Sequence, residues 1–122
     1  MIEGNYKHID LGHIYEIAGD DDEFVIEIIN NFLVATPKSF EKLITALQSN
    51  SADDILFIAH KLKGSFRFIG GFTMGNLMEE LEEKCKKAGA IENLNELTFQ
   101  YRELLLATEA ELKNLLSKMV TK

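Results

Sequence analysis

Apolar residues recur at intervals of three and four along almost the whole chain, which is the stripe of an amphipathic helix. From Asp20 onward Phe24, Ile28, Ile29, Phe32, Phe40, Leu43, Ile44 and Leu47 keep this spacing. Pro37 interrupts the stretch by removing a backbone donor and crowding the carbonyl of Leu33, so it reads as one kinked helix or two nearly collinear ones. Asp20, Asp21 and Asp22 stand where a cap and a negative first turn belong. A short helix over about Asp10 to Ala18 precedes it, carrying Leu11, Ile14, Tyr15 and Ile17. After the turn Ser49-Asn50-Ser51, a third helix capped by Ser51 or Asp53 runs to about Ile69, where Gly70 and Gly71 stop it. A fourth, from about Thr73 to Lys87, turns Met74, Leu77, Met78, Leu81 and Cys85 to one side, and Gly89 ends it. The last spans about Asn93 to Met119 with Leu97, Tyr101, Leu104, Leu105, Leu112, Leu115, Leu116 and Met119 on one face.

No segment alternates with the period of a strand for long, and no internal repeat is visible. Amphipathic helices joined by short turns predict an all-α antiparallel up-and-down four-helix bundle with a short extra N-terminal helix. At 122 residues there is room for one core, so residues 1–122 are expected to form a single domain.

Charge narrows the partners. With 20 acidic against 13 basic side chains the net charge is −7, which disfavours nucleic-acid binding and a membrane-surface role. The single cysteine, Cys85, cannot close an intramolecular disulfide. The start MIEGNYKHID lacks the apolar core of a signal peptide, and no apolar run reaches a membrane span. The expectation is a cytoplasmic monomer, and the initiating methionine fits a free-standing protein.

One helix departs from this acidic background. Residues Ile55 to Phe72, ILFIAHKLKGSFRFIGGF, hold Lys61, Lys63 and Arg67 and no acid. At 100° per residue Ile55, Ile58, Ala59, Leu62, Phe66 and Ile69 form a core face. His60, Lys63, Gly64 and Arg67 fall together on the opposite side, flanked by Leu56 and Phe57 with Phe68 at the margin. A neutral imidazole is a nucleophile near neutral pH, its unperturbed pKa being about 6.5. Lys63, one turn away, can balance the charge of a phosphoryl group on that ring. Gly64 costs about 1 kcal/mol relative to alanine in mid-helix, and its missing side chain leaves room beside His60. Leu56, Phe57 and Phe68 offer apolar docking area.

Each feature also has a bland explanation. A surface histidine is usually inert, basic residues usually mark a solvated face, and a helix glycine can serve close packing. Leu56 and Phe57 could equally be covered by the N-terminal helix. Taken together, however, the run AHKLKGSFRFIGG (Ala59 to Gly71) resembles the phosphorylation-site helix of the histidine phosphotransfer (HPt) domain family. His60, Leu62-Lys63-Gly64, Ser65 and Gly70 match that family's pattern, and the layout of helices fits over nearly the whole chain.

The resemblance implies a phosphorelay intermediate. His60 would accept a phosphoryl group from a receiver-domain aspartate and pass it to another receiver, with Lys63 stabilising phosphate and Gly64 allowing close approach. Partners would be response-regulator receiver domains or a hybrid sensor kinase. The domain would be a carrier without kinase or phosphatase activity and without a cofactor, magnesium belonging to the receiver. Phe66 and Arg67 stand where the family often has small residues, so Arg67 either adds phosphate stabilisation or narrows the choice of receivers. By the same resemblance Ile14 and Ile17 dock the receiver, against the alternative that they cap the bundle core.

Three other readings compete. A non-phosphorylated adaptor would use the same face but have no need of His60. A di-iron bundle would place a glutamate three residues before a histidine, which neither His8, His13 nor His60 has. A hydrolase would need more than Glu79, Glu80, Glu82 and Glu83, which read as a solvated face, and Ser65 lies on a different side of the helix from His60.

Overall fold

The computed structural model describes residues 4–88 and 91–120, the side chain of Ala88 excepted; Gly89, expected to end the fourth helix, lies outside them. Five helices and no strand occur among the described residues: α1 (Leu11–Ala18), α2 (Asp22–Gln48), α3 (Ala52–Phe68), α4 (Phe72–Ala88) and α5 (Leu94–Val120). This is the expected four-helix bundle with a short leading helix.

Local chemistry sets the boundaries. The Asp10 carboxylate accepts the His13 N–H at 3.0 Å to open α1. Gly19, left-handed at φ 65°, closes it by donating to the Tyr15 carbonyl. Of the three aspartates, Asp21 is the cap of α2 and accepts from the Glu23 and Phe24 amides, while Asp22 and Glu23 form the acidic first turn. Pro37 lies within α2, which runs unbroken from Asp22 to Gln48 as one helix. Ser51 holds the cap position of α3, but its hydroxyl donates to the Asp54 carboxylate instead of receiving a backbone amide.

The core is continuous along the stripes. Phe32 of α2 meets Phe66 of α3 edge-on, ring centroids 5.5 Å apart, which accounts for a phenylalanine where the HPt pattern often has a small residue. Val25 takes the first core position of α2, and Phe24, counted with that stripe in the sequence, is exposed instead.

The helices α3 and α4 make the most extensive pair. They run antiparallel: the Cys85 thiol donates to the Ala52 carbonyl at 3.4 Å near one end, and Arg67 reaches Asn76 near the other. Between α3 and α4, Gly70 (φ 76°) carries the chain back against the start of α1. Its carbonyl accepts the Asp10 amide at 3.0 Å, and a Cβ there would meet the Asp10 backbone at 2.7 Å.

Candidate functional site

The face of α3 that carries the imidazole is open. The side chain of His60 is 73% exposed, while Ile55, Ala59, Leu62 and Phe66 on the opposite side are buried. This is the segregation expected from the helical wheel, with Ile58 only half-buried. Phe57 is 74% exposed and Phe68 is exposed as well, so the N-terminal helix does not cover them; Leu56 is half-buried.

The imidazole is held from α4. Its Nδ1 lies 3.4 Å from Oε2 of Glu82, and the other carboxylate oxygen lies 2.9 Å from Nζ of Lys63. A carboxylate only accepts, so a neutral ring that bonds to it does so with the proton on Nδ1, which leaves the lone pair on Nε2. The Glu82 side chain is 8% exposed and that of Lys63 18%. Burial pushes the Glu82 carboxyl up, but Lys63 and then His60 outweigh it and hold the group below the usual carboxylate range. Oε1 is buried without a well-aligned hydrogen-bond donor, so the Lys63 ammonium is its compensation.

Glu82 therefore corrects the sequence reading, which placed it with Glu79, Glu80 and Glu83 on a solvated face. The signal was present. On a helix Glu82 stands only about 40° from Met78, at the edge of the stripe formed by the buried Met74, Met78, Leu81 and Cys85.

The remaining expected residues separate. Gly64 is exposed, and a Cβ there would meet nothing within 4 Å, so no packing inside the molecule calls for glycine. Arg67 is engaged on α4, its Nη2 donating to Glu79 at 3.1 Å and Asn76 at 3.2 Å. Gly75 makes room for it, since a Cβ there would lie 2.7 Å from the Arg67 Cγ. Arg67 could turn to a phosphoryl group only by leaving these partners. Ile14, expected among the docking residues, is 1% exposed: its place on α1 faces the core, so it has no surface to offer a partner. Ile17 is half-buried.

Beside Gly64 a groove of about 510 Å³ runs between α2 and α3, lined by Phe24, Ile28, Phe32 and Phe68 among others. Among the described residues no group of three or more His, Cys, Asp or Glu side chains could hold a metal ion. No helix among them is long and apolar enough to cross a membrane.

An exposed imidazole followed three and four residues later by lysine and glycine is the arrangement the sequence resemblance anticipated, while the contact of its Nδ1 with Glu82 is not. The family model described as Hpt domain matches residues 27–119. The chain belongs to the Hpt domain family. Two solved structures share the Hpt fold. Histidine-containing phosphotransfer protein B from Pseudomonas aeruginosa PAO1 superposes with a TM-score of 0.83 at 18% identity, over 93% of this chain and 98% of that one. The HPT domain of a sensor hybrid histidine kinase from Shewanella gives 0.77 at 25% identity, over 91% and 95%. No curated protein sequence matches the chain. Membership in the Hpt family supports a phosphotransfer role in a phosphorelay, with the protein a carrier module.

Proposed function

We propose that His60 is the phosphoryl acceptor and that the protein shuttles the group between receiver domains. The observation that carries this reading is the pairing of an open imidazole with a buried carboxylate at its Nδ1. In the forward step the Nε2 lone pair attacks the phosphorus of a receiver's aspartyl phosphate. The P–N bond forms as the P–O bond to the aspartate breaks, and the carboxylate leaves. Positive charge develops on the ring, and Glu82, 3.4 Å from Nδ1, lies where it stabilises that charge. Lys63 keeps Glu82 ionised and fixes its orientation. The return step is the reverse attack by the aspartate of a second receiver. Magnesium belongs to the receiver, since the transfer needs no metal on this chain.

Gly64 and the groove beside it supply the approach. An exposed mid-helix glycine without an internal packing role suits a partner backbone that comes close to His60. Phe57 and Phe68, both exposed, with the half-buried Leu56 and Ile17, give apolar area for docking. The Shewanella relative belongs to a hybrid sensor kinase, and a kinase of that class is a candidate donor through its receiver.

The test is transfer of label from a receiver phosphorylated on its aspartate to wild type and to His60→Gln. Label on wild type alone supports the carrier; equal binding of receiver by both forms with no label on either supports an adaptor that uses the same face.

A further inference from the structure

Lys63 is the lysine at the family's position, yet its charge is already spent within the fold. It is largely buried, and its ammonium sits 2.9 Å from Glu82, so the pair contributes little net charge. A phosphoryl group on His60 brings about −1.5 to −2 charges at neutral pH. A cation not already paired within the fold would balance it further.

A second depression, of about 500 Å³ between α3 and α4, contains His60 and is lined also by Lys61 and Lys86. Both lysines are exposed, and neither has an ion-pair partner among the described residues. Lys86 stands one turn beyond Glu82 on α4. The antiparallel register, fixed by the contact of Cys85 with Ala52, sets it on the side of His60 toward the start of α3. The other titratable groups in the depression are Glu82, held by Lys63, and Asp53. A lysine stem can lay its ammonium across such a hollow while the charge stays in water.

We infer that Lys86 and Lys61 are the cations that face the phosphoryl group on His60, with Lys63 serving to position Glu82. This rests on the reading of His60 as the carrier, and it moves the charge-balancing role from one helix to the cleft between two.

Phosphoramidate, which phosphorylates histidine without a receiver, loads the protein for the test. The monoanion–dianion step of the phosphoryl group is then followed by ³¹P NMR against pH. Wild type, Lys86→Gln, Lys86→Arg and the double variant Lys61→Gln/Lys86→Gln are compared at low salt. Removing Lys86 should lower that ionisation constant about three-fold, removing both lysines further, and arginine should restore it. The difference should shrink in high salt. Titrations of all variants that overlay wild type, with His60 labelled, would overturn the inference and leave the carrier reading standing. Failure to label His60 would overturn both.

Discussion

The Nδ1 of His60 on α3 stands 3.4 Å from Oε2 of Glu82 on α4. That one contact joins a side chain open to solvent to one that is not, and it favours the tautomer with the proton on Nδ1. In that tautomer the lone pair is on Nε2, away from the carboxylate.

Glu82→Gln should keep the shape of the site and remove its charge. Nitrogen-15 NMR of the wild-type ring should show the proton on Nδ1, and the variant should shift the balance toward the Nε2-protonated form. Acceptance of phosphoryl should slow about ten-fold or more, as for loss of a group that stabilises charge in the transition state.

The same residue sets an acid limb of stability. Its folded pKa is depressed, so its contribution is present above the unfolded value, about 4.3 for an ordinary glutamate, and is lost as pH falls through the folded one. Thermal unfolding between pH 6 and pH 3 should show wild type losing more stability than Glu82→Gln below about pH 4.5. Parallel curves would contradict this.

Gly64→Ala should separate fold from function. A methyl there meets nothing within 4 Å, and helix propensity favours alanine, so stability should rise by about 0.5–1 kcal/mol in urea unfolding. Transfer from a receiver should nevertheless slow, because the methyl stands on the approach to His60. A variant that is more stable and equally fast would contradict the close-approach role.

Tyr101 gives the alkaline counterpart. Burial, helped by the charge of Glu80, pushes its phenol up to about 12. A raised acid contributes stability that is complete below its unfolded pKa, about 10, and is lost as pH rises toward the folded value. Two units correspond to roughly 2–3 kcal/mol, so unfolding free energy should fall between about pH 10 and 12, and Tyr101→Phe should lack that part of the decline.

Much of the fold was legible because its signals are local. Asp10 and Asp21 act as caps within one helical turn, and Gly70 stops α3 through its own backbone angle. The face of α3 that carries His60 was legible for the same reason, since His60, Lys63 and Gly64 share one helix, though not that Lys63 is largely buried against Glu82. What escaped was whatever depended on register between helices. Glu82 lies at the margin of the core stripe of α4, and nothing along the chain says that the margin meets His60 and Lys63. Arg67 looked free on its own helix because Glu79, Asn76 and the space left by Gly75 belong to the next one. Ile14 lies on a helix of only two turns, where the wheel separates the core side from the outer side poorly.

The most direct test is to phosphorylate the protein from a phospho-receiver and locate the group by ³¹P- and ¹⁵N-resolved NMR of the histidine rings. A single phosphoryl group on Nε2 of His60 is expected, and none after His60→Gln. Phosphoryl on His8 or His13, on Nδ1 of His60, or undiminished labelling of the variant would contradict it.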